Sequence, residues 1–177
     1  MKEIKVYLFS ELSDEAKEKA LEYARYNIME WHCMEESIKS LGMGLKHFHF
    51  DLDDYELDGL NASRGYVSFS ENPDHDGDMG ITGEVLLDNL SGDFDLDNVL
   101  SGECVFTGYC GDEDFIDPIR DFAENQSDIT LTELMDKCVK SLLIAIENDC
   151  KMQNEEEYIE DFLDANDYYF TQDGSIL

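Results

Sequence analysis

From Gly65 to Ile119 the chain runs 55 residues without a lysine or arginine while carrying 14 aspartates and glutamates. Carboxylates this dense repel one another and favour hydration. Whatever folds here must hold them on a solvated face and draw its core from the apolar residues between them. The acidity is regional: the first 46 residues hold 9 acids and 7 bases, net -2, whereas residues 47 to 177 hold 34 acids and 5 bases, net -29 of a total of -31. A chain that retains such self-repulsion either meets a basic partner or lives in unusual solvent. Adaptation to high salt fits poorly. Nine of the twelve bases are lysines, large apolar residues are plentiful, and the N-terminal quarter is almost neutral.

The apolar fraction of 42%, with 10 Phe and 9 Tyr, separates the chain from disordered acidic tails, which cannot offset their ordering entropy. At 177 residues it is expected to form a single acidic α+β domain spanning 1–177. The five cysteines, at 33, 104, 110, 138 and 150, are odd in number and include no C-x-x-C pair. That argues against a disulfide framework or a structural zinc site and for a reducing cytoplasm. No apolar run approaches the ~20 residues of a membrane span, and Met1 to Lys5 lacks the apolar stretch of a signal peptide. A soluble, cytoplasmic protein is expected.

Ile4, Val6 and Leu8 alternate, which predicts a short strand over residues 3 to 9. Ser13, Asp14 and Glu15 supply a capping oxygen and first-turn negative charge for a helix from about 14 to 30, with Ala16, Ala20, Ala24 and Ile28 as an inward stripe. Continuation through Trp31, Met34, Ile38 and Leu41 would end at Gly42. Phe48, Phe50 and Leu52 alternate with His47, His49 and Asp51, predicting a strand over 45 to 52. Tyr66 to Phe69, Ile81 to Leu87 and Cys104 to Tyr109 extend the β pattern between turn-rich segments. Thr130-x-x-Glu133 is a capping box for a helix to about Lys151, and a second, acid-coated helix begins near Asn154 with Tyr158, Phe162 and Leu163 inward. Tyr168 to Thr171, the Asp173-Gly174 turn and Ser175 to Leu177 read as a terminal strand and return. The fold class expected is α+β: an antiparallel sheet of about four to six strands packed against two to four helices.

His47-x-His49-x-Asp51 would set three metal-competent groups on one side of a strand, although a plain polar face gives the same alternation. Asp74-x-Asp76-x-Asp78 and Asp93-x-Asp95-x-Asp97 resemble the first half of a calcium loop. They fail at the sixth position, Met79 or Asn98, and at the twelfth, Val85 or Cys104. With 43 carboxylates present, no one spacing singles out an acid–base pair, and no nucleophile elbow, phosphate loop or dinucleotide fingerprint occurs. No catalytic residue, metal or cofactor is assigned, and the chain is expected not to be an enzyme. Direct binding of nucleic acid is excluded by the lack of basic clusters.

What such a surface can do is imitate a polyanion. Duplex DNA carries one charge per roughly 1.7 Å, so the net charge matches about 53 Å of duplex, or some 15 base pairs, on a body only ~40 Å across. The expected function is stoichiometric occupation of a basic DNA-binding channel in a protein or nucleoprotein complex. The alternative is an antitoxin-like or acidic chaperone protein with a small basic partner. The expected binding residues are Asp51, Asp53, Asp54, Glu56, Asp58, Asp74, Asp76, Asp78, Asp93, Asp95, Asp97, Asp112, Glu113 and Asp114, with Glu155, Glu156, Glu157 and Glu160 as a second patch. An apolar stripe on either long helix would let two copies pair.

The opening Phe9-Ser10-Glu11-Leu12-Ser13-Asp14-Glu15-Ala16-Lys17-Glu18-Lys19-Ala20 resembles the start of a family of small phage and prophage proteins loosely described as antitoxin-like. Asn166 to Gly174 is similar to that family's closing strand and turn, and Phe50 to Asp53 with Arg64 to Phe69 to its central strands. The resemblance implies a phage or mobile-element origin and carries no catalytic residue. Joined to the acidity, it implies a phage-encoded DNA mimic acting against host defence, of the anti-CRISPR or antirestriction type.

Overall fold

Ser13 opens the first helix as its capping pattern predicts, its Oγ accepting from the backbone N–H of Ala16 at 3.4 Å. The computed structural model describes residues 5–27, 32–74, 80–101, 105–109 and 111–177, and leaves the side chains of His32 and Cys33 undescribed. Expectations resting on Ile4, Ile28, Trp31, Asp76, Asp78, Cys104 and Cys110 lie outside these residues. The chain falls into two compact units, residues 1–31 with 149–177, and residues 32–148.

In the first unit, a 3-10 turn, Phe9–Glu11, leads into α1, Asp14–Asn27. The alanine stripe is buried as expected, and its small side chains admit Phe9, Leu12, Leu21, Ile159, Leu163 and Phe170 into one apolar cluster. Ile159 and Leu163 come from α7, Glu156–Ala165. Among its described residues the predicted N-terminal strand shows one antiparallel bridge, Tyr7 with Phe170, closed by backbone bonds of 2.9 and 2.8 Å. It cannot continue beyond Leu8, because the Phe9–Glu11 turn follows at once. The Asp173-Gly174 turn forms: Gly174 takes φ +82°, and a Cβ there would lie 2.1 Å from the Ala16 carbonyl oxygen. Only glycine lets the turn sit against α1.

The second unit begins with α2, His32–His47, and continues through β1, Phe50–Glu56, a 3-10 segment, Gly59–Arg64, and β2, Tyr66–Glu71. Next come α3, Gly83–Asp93, α4, Leu96–Ser101, and α5, Gly111–Asn125. The long α6, Leu131–Gln153, starts here behind the predicted capping box, the Thr130 N–H donating to Glu133 Oε2 at 2.8 Å and the Glu133 N–H to Thr130 Oγ1 at 3.2 Å. The core gathers Leu41, Leu45, Phe48, Phe50, Phe115, Ile119, Phe122, Leu134, Met135, Cys138 and Leu142, all essentially buried. Gly42 does not stop α2. The helix runs on through Gly44, where a Cβ would lie 2.7 Å from the Phe115 ring, so this glycine sets how closely α2 approaches α5.

The expected sheet of four to six strands does not form. Helix and 3-10 turn take 65% of the described residues, and the sheet among them is a single antiparallel hairpin, β1 with β2. Of Ile81 to Leu87, read as a strand, Thr82 makes only an isolated bridge to Thr130, and Gly83 to Leu87 is the start of α3, because Leu86 and Leu90 repeat at four and bury together. The described part of Cys104 to Tyr109 is a turn whose backbone donors go to the Asp112 carboxylate instead of a neighbouring strand. The segment read as a strand from residue 45 is the end of α2 as far as His47, with β1 starting only at Phe50. His49 between them adopts φ +62°. No helix among the described residues is long and apolar enough to cross a membrane.

Candidate partner-binding surface

The hairpin organises the densest predicted acids. Phe50 pairs with Glu71, Asp51 with Ser70, Leu52 with Phe69, then, after a bulge at Asp53, Asp54 with Ser68, Tyr55 with Val67 and Glu56 with Tyr66. Side chains alternate across a strand, so Phe50, Leu52, Tyr55, Val67 and Phe69 share one face, where the Phe50 and Phe69 rings meet edge to face with centroids 5.4 Å apart. The other face carries Asp51, Asp54 and Glu56 on β1 beside Ser70, Ser68 and Tyr66 on β2. The bulge produces this row. Without the extra residue, Asp54 would turn inward and Asp53 outward.

All four β1 acids are exposed, and among the described residues none forms an ion pair. Their bonds are local and leave the charge uncompensated. Asp53 Oδ1 accepts from Ser70 Oγ at 3.0 Å, and Asp54 Oδ1 accepts from the N–H of Tyr55 at 2.9 Å. Asp58 caps the 3-10 segment, taking the Leu60 N–H at 3.2 Å and the Asn61 amide at 3.0 Å. Asp74, exposed in the turn after β2, donates its N–H to Asn72 Oδ1 at 2.9 Å.

The remaining predicted acids divide. Asp93, Asp95 and Asp97 are exposed where α3 gives way to α4, with Asp95 at φ +49°. Three acids with that backbone do not converge, and among the described residues no group of three or more His, Cys, Asp or Glu is placed to hold a metal ion. The predicted His47-His49-Asp51 face is dispersed: His47 ends α2 among the rings of Phe48, Phe94 and Phe106, with Nε2 2.8 Å from the Phe94 carbonyl.

At the head of α5, Asp112 was expected at the surface, but it is fully buried. Its Oδ2 accepts from the backbone N–H groups of Phe106, Thr107 and Gly108 at 2.8, 2.7 and 3.2 Å, and its Oδ1 from the Thr107 hydroxyl at 2.9 Å. Thr107 Oγ1 lies 3.0 Å from the buried Ser40 hydroxyl. Four donors replace the water this carboxylate gives up, so it holds a loop and is unavailable to a partner. Glu113 is exposed but shares Arg120 with Asp117, at 3.3 and 2.7 Å, and Asp114 is half-buried.

In the first unit Glu155, Glu156 and Glu157 are exposed at the N-terminal end of α7, where the helix dipole favours them, and Glu160 is half-buried. The same unit holds a strongly perturbed surface carboxylate. The Lys19 ammonium, 2.6 Å from Asp173, together with the Thr171 hydroxyl, holds the Asp173 carboxyl well below the usual carboxylate range. A hydrogen bond to Glu36 raises the Lys39 ammonium above its ordinary value.

Sequence reading missed the hydroxyl half of the hairpin face, Tyr66, Ser68 and Ser70. The signal was the doubled acid Asp53-Asp54, which breaks the two-residue period and marks the bulge. No family model, no curated protein and no solved structure matches the chain.

Proposed function

We propose that this chain is a phage-encoded DNA mimic that inhibits a host defence nuclease or nucleoprotein complex, of the anti-CRISPR or antirestriction type, by occupying its basic DNA-binding channel in the host cytoplasm. The observation that carries the reading is the outer hairpin face, where Asp51, Asp54 and Glu56 stand exposed on a paired strand without an ion pair among the described residues. Same-face positions on a strand lie roughly 7 Å apart, so the row keeps its carboxylates at fixed spacing before any partner arrives. Preorganised charge loses little conformational entropy on binding, and its condensed counterions are free to leave.

The charge of the second unit fits that role. Residues 32–148 hold 27 acids and 6 bases, net -21. At one charge per roughly 1.7 Å this equals about 36 Å of duplex, close to the ~35 Å diameter of a compact unit of that length. Its charge density is therefore that of DNA, and the apolar and aromatic groups between the acids add contacts a phosphate backbone lacks. The mechanism requires neither a catalytic group nor a cofactor.

The test is competition. The full chain, immobilised, is exposed to lysate of a candidate host at low and high salt, and each retained protein is then titrated with duplex DNA in the presence of the chain. The reading expects a stoichiometric complex that excludes DNA and weakens steeply with salt. Exchanging the exposed acids for amides in groups should lower affinity in graded steps. Retained partners that bind DNA and the chain together, or that are indifferent to salt, would refute it.

A further inference from the structure

The hairpin has two edges, and they are finished differently. On β1 the bulge at Asp53 breaks the ladder and the Tyr55 N–H is taken by Asp54 Oδ1, so this edge is closed to a further strand. The β2 edge has neither device. Its six residues, Tyr66–Glu71, include no proline and no charge before Glu71.

The direction of its peptide groups follows from one bond. The Asn72 N–H donates to the His49 carbonyl across the hairpin at 2.8 Å. In an antiparallel ladder donors alternate, so Ser70, Ser68 and Tyr66 also turn their N–H and C=O groups toward β1, and Val67, Phe69 and Glu71 turn theirs out of the free edge. Outside the hairpin's own ladder, and among the described residues, no hydrogen bond reaches the backbone N–H or C=O groups of these three residues. An extended segment laid along β2 would satisfy all three residues.

The outer face states what that segment should carry. An added strand would run about 9.6 Å from β1, two strand spacings away. Between them on the outer face stand the small side chains of Ser68 and Ser70, opposite Asp54 and Asp51. A Lys or Arg stem, on the order of 6 Å long, can cross over these serines and bring its charge to the carboxylates of β1. A second copy of the chain would bring the same acidic unit, residues 32–148 with 27 acids against 6 bases, to this edge, which opposes self-pairing.

The geometry points to the free edge of β2 as the docking site for an extended basic segment of the partner, which joins the hairpin as a third strand with Lys or Arg at alternate positions over the outer face. This rests on the proposed function only in taking the partner to be basic. It requires neither that the partner bind DNA nor that it belong to a defence system.

The probe is a short capped peptide alternating Lys and Val, labelled for fluorescence anisotropy and titrated with the full chain at low salt. Two controls share its composition: one with the lysines in a block, and one N-methylated on alternate amides so that it cannot pair on the edge-facing side. The alternating peptide should bind, and each control should bind about tenfold more weakly. Val67→Pro removes one outward donor without changing charge, at a position where an edge strand tolerates proline, and should cost about the same factor. Asp51→Asn with Asp54→Asn and Glu56→Gln should flatten the salt dependence.

Equal binding of the alternating, blocked and N-methylated peptides would overturn the proposal, and that comparison needs no altered protein. Self-association abolished by Val67→Pro, with no peptide binding, would assign the edge to a second copy and equally overturn it. Peptide binding without exclusion of DNA from any captured protein would instead refute the mimic and leave the edge standing.

Discussion

Replacing Asp112 tests whether a buried acid in this chain can be structural. Its carboxylate is fully buried and accepts three backbone N–H bonds and one hydroxyl bond, all from the turn at residues 106–108. Asp112→Ala removes the acceptor from all four donors. A stranded buried donor costs about 1–3 kcal/mol, and the turn is half-exposed, so water recovers part of this. The expected loss is about 3–4 kcal/mol. Asp112→Asn keeps an oxygen where Oδ2 meets the three N–H groups and turns its amide toward the Thr107 hydroxyl, which can rotate to accept. It forfeits mainly the charge assistance, about 1–2 kcal/mol. Urea unfolding followed by far-ultraviolet circular dichroism reads both. With a slope of about 2 kcal/mol per molar, the midpoint should fall by roughly 1.5–2 M for alanine and less than 1 M for asparagine. An alanine variant within about 1 kcal/mol of the parent, or an asparagine variant as damaged as alanine, would refute the reasoning.

Gly174→Ala should destabilise by at least about 1–3 kcal/mol from its φ of +82° alone, with the overlap against the Ala16 carbonyl adding to it, and thermal unfolding would show the shift. Because the folded Asp173 carboxyl lies below its unfolded value, its contribution is complete at neutral pH and is lost as pH falls below the ordinary carboxylate range. Lys19→Met should move the Asp173 titration, followed by carboxyl NMR, back up toward that range. Burial pushes the Cys138 thiol up, so alkylation mapped by mass spectrometry should spare Cys138 in the native protein and reach it only after denaturation. Early labelling at neutral pH would contradict its placement in the core.

Where the sequence carried a strong period the fold was legible. The alanine stripe of α1, the Thr130–Glu133 box at the head of α6 and the inward Leu163 of α7 lie where their spacing put them. Local pattern failed where two periods compete. Ile81, Val85, Leu86 and Leu87 fit a short strand as well as a helix turn, and only Leu90 and the pairing of the helix face against a core decide it. In α5, Phe115, Ile116, Ile119 and Phe122 repeat as a helix should, but Pro118 stands inside the run and disguises it. At the candidate surface, alternation put Asp51 outward, whereas Asp54 and Glu56 face out only because of the bulge at Asp53, which an unbroken two-residue period would have reversed. The burial of Asp112 was hidden, because it depends on backbone donors from a turn whose shape no side-chain pattern encodes. The open edge of β2 was equally hidden, since a strand's neighbours are a tertiary fact.

Tyr7 finds its backbone partner in Phe170, across almost the whole chain, and α1 packs its alanines against Ile159 and Leu163 of α7. On the ribosome α1 therefore emerges well before the residues it packs against and must wait for them. Everything from His32 to Asn148 is synthesised before the residues that close the first unit, so the acidic second unit can collapse while α1 still exposes its apolar stripe. Contacts this remote in sequence form slowly, because a long loop must close before any of them contributes. The near-neutral segment, whose acids are almost balanced by Lys17, Lys19 and Arg25, is thus the last to be sheltered and has little charge of its own to keep its apolar stripe from other chains during the wait.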